Sequence, residues 1–155
     1  MSDLIVADDG DLVRQIMTTY DELYRVASID DQSVDFAFAY DKLGRLLTQT
    51  ESHNSLNPTV VLSFDYDANS NRTEIAATVG PNADYKNTYV FDELNRLKSL
   101  TQQSDGGNEV ADKHVAFAYN SLGQTTMVNR YESTTPTNPA LRTSIGEKRG
   151  RSSLF

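Results

Sequence analysis

The chain has 155 residues, of which 38% are hydrophobic and 23% charged, with a formal net charge of −8 and no cysteine. This length suits one domain or one array of small repeats, and the modest apolar content predicts a thin core. The negative charge argues against a nucleic-acid-binding surface, and a chain without cysteine forms neither disulfides nor thiolate zinc sites. We expect no secretory signal and no membrane span, because the sequence has neither a basic, apolar leader nor a run of ~18 apolar residues.

One short pattern recurs along the chain. An aromatic residue, here called position zero, is followed by Asp or Asn at position one, by Leu at position three in four copies, and by Arg at position five in three. Self-similarity of this kind indicates a repeat array. The five copies are YDELYRV from Tyr20, YDKLGRL from Tyr40, YDANSNR from Tyr66, FDELNRL from Phe91 and YNSLGQT from Tyr119. Residues 1–14 are interpreted as a degenerate first repeat, since VADDGDL from Val6 fits the pattern without the aromatic.

Each copy has the features of a β-hairpin. Apolar residues alternate with small or polar ones before the aromatic, and this period of two predicts a half-buried strand. The acid or amide that follows can start a turn, and Gly or Asn at position four suits the left-handed backbone conformation of a type I turn with a bulge. Gly44 and Gly123 are therefore predicted to have positive φ, while Tyr24 and Ser70 fit this position less well.

The sequence thus predicts an all-β protein of serial antiparallel β-hairpins that form a curved, twisted repeat sheet. The array of about five hairpins is placed at residues 15–132, and residues 133–155 are predicted to be a disordered basic tail. Residues 11–26 are the one helical candidate, but they overlay the other copies, which favours strand–turn–strand. Predicted strands are 34–41, 45–50, 60–67, 72–79, 86–92, 96–102, 113–120 and 124–131.

The third copy also resembles a calcium-binding loop. Acids and amides alternate there as do the first oxygen ligands of an EF-hand, but Ser70 and Ala76 stand where that motif needs Gly and a bidentate Glu. The recurrence of the same turn elsewhere favours a hairpin turn, and no metal site is predicted. The alternating residues are Asp65, Asp67, Asn69 and Asn71.

Catalysis has little support in the sequence. His53 and His114 lie about 60 residues apart without a set of partners, so surface positions are favoured over metal ligation or acid–base work. The stretch SDGGN at 104–108 lacks the Lys and the following helix of a phosphate loop. The recurring Asp residues share one turn position, which favours a structural role over a glycosidase pair. We therefore predict no enzyme activity, no catalytic residue, no cofactor and no metal.

The copies YDKLGRL, YDANSNRT and FDELNRL resemble the YD repeats of Rhs proteins, over roughly residues 15–131. The resemblance implies a continuous sheet that spirals into a hollow shell. In bacterial Rhs and Tc-toxin C proteins such shells enclose a C-terminal toxin segment, and in teneurins a related shell supports adhesion at the cell surface. The usual core segment, with its self-cleaving aspartyl protease and DPxGL-like motif, has no match here. We therefore interpret the chain as a fragment or a short relative.

Two non-enzymatic functions follow from this resemblance. The first is a structural segment of an Rhs-like β-shell that encloses or presents a polymorphic toxin or surface effector, with neighbouring repeats or the toxin segment as partners. The alternative is a cell-surface module that contacts carbohydrate or a partner protein through exposed Tyr and Asp. The shell is favoured because periodic aromatics usually form a core. The resemblance implies a secreted or cell-surface larger protein, and unpaired strand edges predict self-association.

Overall fold

The computed structural model describes residues 2–6, 12–53, 58–105, 110–134 and 141–144. These residues form one twelve-stranded sheet, in which the strands are ordered as they are in the chain and every neighbouring pair is antiparallel. The predicted all-β class of serial antiparallel hairpins is confirmed. No helix long and apolar enough to cross a bilayer occurs in this part of the chain.

All eight strands predicted between residues 34 and 131 are present. The strand–turn–strand prediction for residues 11–26 is confirmed over the described residues 12–26, which hold a strand, the turn at 21–25 and the first residue of the next strand. The twelve strands are β1 (Ser2–Val6), β2 (Leu12–Tyr20), β3 (Val26–Asp31), β4 (Val34–Tyr40), β5 (Leu46–His53), β6 (Val60–Tyr66), β7 (Arg72–Val79), β8 (Asn82–Phe91), β9 (Leu97–Ser104), β10 (Lys113–Tyr119), β11 (Thr125–Tyr131) and β12 (Leu141–Ser144).

The predicted bulge and left-handed residue occur in every repeat. The strand register shifts at the aromatic of position zero in all five hairpins. Gly44 and Gly123 have φ of 82° and 79°, as predicted. Tyr24, Ser70 and Asn95 also have positive φ, between 58° and 67°. The turn therefore imposes the left-handed conformation even where the residue has a Cβ, at a cost of roughly 1–2 kcal/mol for such a residue.

The two ends of the array differ from the sequence prediction. Residues 141–144 pair with β11, from Met127↔Ser144 to Arg130↔Leu141, so the prediction of disorder is wrong for these four residues. Pairing satisfies backbone groups that an isolated segment would leave to water. The rest of the predicted tail beyond residue 134 lies outside the described residues. The degenerate first copy contributes β1, which pairs with β2, while residues 7–11, where the sequence predicts its turn, also lie outside them.

One face of the sheet carries the alternating aromatics. In β4 the alternate side chains Val34, Phe36, Phe38 and Tyr40 are half-buried, whereas the intervening Ala37 and Ala39 are exposed. We call the side with these aromatics and their equivalents in the other hairpins the aromatic face. Within the described residues no second layer covers it, and only Phe64 and Ala77 fall below 9% exposure. The sheet therefore has the beginnings of a core on one side and no closed interior. The aromatic face further comprises Ile29, Leu62, Phe64, Tyr66, Ile75, Ala77, Tyr85, Tyr89, Phe91, Leu100, Val115, Phe117, Tyr119 and Val128.

Candidate functional site

Each of the five turns is closed by the side chain at position one. In the second turn, Oδ1 of Asp41 accepts hydrogen bonds from the backbone N–H groups of Leu43 at 2.8 Å and Arg45 at 2.9 Å. Oδ2 of Asp41 accepts a third bond from Nε of Arg45 at 2.6 Å. Corresponding bonds of 2.7–3.0 Å recur in the other four turns, except that in the fifth turn Nδ2 of Asn120 donates to Oε1 of Gln124. The repeated acid or amide is therefore a structural part of the turn.

These hydrogen bonds lower the pKa of the turn aspartates. The backbone N–H of Arg45 is the main cause at Asp41, whose pKa lies below the usual 3.8. At Asp67 the side-chain amide of Asn71 is the main cause. A lowered pKa is opposite to the raised one that a general acid requires, so the turn carboxylates are poorly suited to that role. The pKa is also lowered at Asp21 and Asp92.

Neighbouring hairpins are linked by the Arg at position five and the Tyr at position zero of the next copy. The guanidinium of Arg45 lies over the ring of Tyr66, 4.6 Å from its centroid, and Nη1 of Arg45 donates to the carbonyl oxygen of Asp67 at 3.1 Å. The hydroxyl of Tyr66 donates to the carbonyl oxygen of Leu46 at 2.8 Å. The same cation–π contact, at 4.5 Å, and hydroxyl bond occur at two further pairs, Arg25 with Tyr40 and Arg96 with Tyr119.

The junction between the third and fourth hairpins is built differently. Asn71 replaces the Arg, and Phe91 replaces the Tyr on which that Arg would stack. Oδ1 of Asn95 instead accepts bonds from Nδ2 of Asn69 at 2.9 Å and Nδ2 of Asn71 at 2.8 Å. We call this the asparagine junction. It keeps polar contact between the turns but lacks both the stacked cation and the hydroxyl bond.

The loop that resembles an EF-hand forms a turn. Asp67 accepts bonds from the backbone of Asn69 and Asn71 and from the side chain of Asn71, all at 2.9 Å, and Ser70 occupies the left-handed position. The predicted hairpin turn is confirmed. Across the described ranges there is no group of three His, Cys, Asp or Glu side chains that could hold a metal ion. The absence of calcium binding stays a prediction.

The remaining candidates from the sequence are not brought together. Nε2 of His53 lies 2.8 Å from Oε1 of Glu51 on β5. Nδ1 of His114, on β10, lies 2.8 Å from Oγ1 of Thr101. Each histidine thus has a local partner on its own region of the sheet. Residues 106–108 of the SDGGN stretch lie outside the described residues.

The aromatic face contains an open groove of about 570 Å³ between the fourth turn and β10. Phe117 and Tyr119 line one side, and the backbone order β8–β9–β10 brings them to Phe91 although these residues are distant in sequence. Aromatic rings beside charged groups can contact a ligand that is partly apolar and partly polar. The charged residues that line the groove are Asp92, Glu93, Arg96 and Lys98.

Sequence reasoning missed the links between hairpins, although the repeats contained a signal for them. Arg at position five and Tyr at position zero of the next copy occur together at three junctions, and both are missing at the asparagine junction. This coincidence points to contact between the two positions. Reading each copy separately, as a single turn, concealed it.

The same sheet fold occurs in chains of Tc toxin complexes. A chain in the crystal structure of TcdB2-TccC3 matches 92% of this chain with a TM-score of 0.69 and 17% identity. The crystal structure of TcdB2-TccC3-Cdc42 gives 92% coverage, a TM-score of 0.69 and 16% identity. A chain of the Tc holotoxin pore of Photorhabdus luminescens matches 83% of this chain with a TM-score of 0.64 and 16% identity. This chain spans only 8–9% of the length of each matched chain.

No protein-family model and no curated protein sequence matches the chain. The likeness is therefore carried by the backbone, with the identity too low to transfer residue roles. It agrees with the resemblance that the repeated Tyr-Asp turns indicated. The chain has the all-β sheet fold of a segment of these Tc-toxin chains.

Proposed function

We propose that the chain is a non-catalytic structural segment of an Rhs-like β-shell that encloses or presents a toxin or another effector. The observation that carries this proposal is the aromatic face, which is half-buried along the sheet yet has only two residues, Phe64 and Ala77, below 9% exposure among those described. A surface of this kind favours a further layer or an enclosed segment. The fold shared with Tc toxin chains supports the same role.

The links between hairpins also fit a structural role. Each Arg–Tyr contact joins one hairpin to the next with the same geometry, so the sheet can be lengthened by adding hairpins without changing the design. The turn aspartates and the position-zero tyrosines Tyr40, Tyr66 and Tyr119 are already hydrogen-bonded within the sheet. These residues therefore stabilise the turns and the links between hairpins, which fits a structural role better than ligand binding.

The test is to lengthen the chain with further hairpins copied from its own repeats. The longer protein should melt at a higher temperature and bind less of a dye that reports exposed apolar surface, because added hairpins cover part of the open face. A matched control carries a Gly/Ser linker of equal length. A sharply melting monomer that binds no dye before extension, or equal effects of repeats and linker, would contradict the proposal.

The groove beside the fourth turn favours a second candidate, a module that contacts carbohydrate or a partner protein. Its aromatic and charged lining can stack on a sugar ring and hydrogen-bond its hydroxyl groups. Isothermal titration with a panel of oligosaccharides tests this function, with Phe117→Ala inside the groove and Phe38→Ala outside it as matched variants. Binding that only Phe117→Ala removes would support the module, and an absence of binding across the panel would reject its carbohydrate form.

A further inference from the structure

The five hairpin turns lie at one end of the strands, and they present a row of exposed apolar side chains. We call this end of the sheet the turn rim, formed by residues 21–25, 41–45, 67–71, 92–96 and 120–124. The leucine at position three is 66%, 74%, 71% and 81% exposed in the first, second, fourth and fifth turns, so it packs little against its own chain. The four side chains are Leu23, Leu43, Leu94 and Leu122.

The turn itself does not require leucine at this position. Its contribution to the turn is a backbone N–H, which donates to Oδ1 of the position-one residue in every copy. In the third turn Asn69 makes the same bond at 2.9 Å as Leu43 does at 2.8 Å. The four exposed leucines at equivalent positions are therefore not explained by the hairpin itself, which points to a contact outside it.

Along the rim, position three has the order Leu23, Leu43, Asn69, Leu94, Leu122, which has the same pattern from either end. Successive turns are about 9.5 Å apart, because each hairpin contributes two strands to the sheet. A two-fold axis through the third turn would place Leu43 opposite Leu94 of a second copy, and Leu23 opposite Leu122 of that copy. A register shifted by one or two turns would place Asn69 against a leucine, and a larger shift would keep at most two of the four leucine contacts, so both are disfavoured.

The neighbouring positions complement one another about the same axis. At position two, Lys42 would face Glu93 of the second copy, and symmetry produces this pair of opposite charges twice. At position four, Tyr24 is 90% exposed and would face Gly123, which has open space where a Cβ would stand. The side-chain charges at position two and the side-chain sizes at position four are therefore complementary about the same axis, which was chosen from the leucines alone.

We propose that two copies of this chain associate through their turn rims about a two-fold axis at the third turn. The inner contacts join Leu43 to Leu94 and Lys42 to Glu93. They contribute most to the affinity, since the twist of about 20–25° between adjacent strands makes the two rims diverge away from the axis. This interface is distinct from pairing through the outer strands β1 and β12, and it shares only Glu93 and Leu94 with the groove of the aromatic face.

The charge pair gives the sharpest test, by sedimentation velocity across a range of protein concentrations. Glu93→Lys places like charges opposite each other twice and should raise the dimer dissociation constant about tenfold, whereas Lys42→Glu combined with Glu93→Lys should restore it. Glu22→Lys is the matched control, because it changes the net charge by the same amount but faces Ser121 of the second copy. It should leave the dissociation constant unchanged.

The leucines give an independent arm. Leu43→Ser and Leu94→Ser should each weaken the dimer while leaving the melting temperature of the dilute monomer unchanged, because both side chains are already exposed. A chain that stays monomeric at all accessible concentrations would overturn the proposal. Equal losses of affinity from Glu22→Lys and Glu93→Lys would also overturn it, as would failure of the double exchange to restore association. The proposal would likewise be overturned if the dimer were weakened only by substitutions in β1, β12 or the aromatic face.

Discussion

Arg45 links the second hairpin to the third, and its replacement by Gln, the residue at the same position of the fifth turn, should destabilise the protein by about 2 kcal/mol. Gln can still donate from its side-chain amide to the position-one carboxylate, as Nδ2 of Asn71 does to Oδ2 of Asp67 at 2.9 Å. It cannot reach the contacts of the guanidinium with the next hairpin. The bond from Nη1 to the Asp67 carbonyl oxygen, 3.1 Å long, is worth about 1 kcal/mol. The half-buried stack on Tyr66, 4.6 Å from the centroid, adds about 0.5–1 kcal/mol.

Thermal and urea denaturation of the monomer measure this loss, which corresponds to a fall of about 4–8 °C in melting temperature for a chain of this length. Lys113→Gln removes the same charge from an exposed strand position and should change stability by at most about 0.5 kcal/mol. A double-mutant cycle of Arg45→Gln with Tyr66→Leu should give a coupling energy of at least about 0.5 kcal/mol. Equal effects of Arg45→Gln and Lys113→Gln, or a coupling energy near zero, would refute the cross-hairpin link.

Three further outcomes are expected. Gly44→Val should cost about 1–2 kcal/mol because φ is 82° there, although a Cβ would meet only Nη1 of Arg25, at an ordinary contact distance of 3.9 Å. Lys42→Ala in the monomer should change stability by at most about 0.5 kcal/mol, so equal melting temperatures of the two variants would contradict the assigned turn. A hydrogen bond from the Arg96 side chain is the main cause that lowers the pKa of Asp92 below 3.8, and backbone N–H groups add to it. As the pH falls, the unfolded chain therefore takes up this proton before the folded chain does. The free energy of unfolding should be constant above about pH 4 and fall below it. Melting curves from pH 2.5 to 6 should show a smaller fall for Asp92→Asn with Arg96→Gln, which copies the uncharged fifth turn, and an equal fall would exclude this carboxylate as a cause. Millimolar calcium should leave the melting temperature equal to that in chelator, although folded-state binding at a hundredfold excess would add ~2.7 kcal/mol; a rise abolished by Asp67→Ala would show a metal site.

The hairpins could be predicted because the information for each one is local. Alternating aromatics, a turn-forming acid and a residue suited to positive φ lie within a few positions of one another, as around Tyr40, Asp41 and Gly44. The residue at position four is a weaker signal. Tyr24 takes a φ of 60° because the bonds that close the turn outweigh its own preference.

The contacts between hairpins could not be derived in the same way. The partner of the Arg45 guanidinium is a backbone oxygen 22 positions away, and no residue type identifies a backbone oxygen. The groove depends on Phe91 and Phe117 meeting across three strands, which follows only once successive hairpins are known to be adjacent. Strand β12 carries no Tyr-Asp signal, and its pairing with β11 is visible only in the structure.

The strand order of the sheet has a consequence for how the protein is made. Among the described residues, every strand packs only against the strands immediately before and after it in the chain. A hairpin that leaves the ribosome can therefore add to the growing edge at once, without waiting for any residue still to be synthesised. Each growing intermediate would carry a free strand edge at its newest hairpin, in addition to that of β1, and the next hairpin would occupy this new edge before another chain can pair with it. Translation in this direction would protect the sheet during its own synthesis, whereas refolding of the complete chain from denaturant leaves all strands to compete for partners at once.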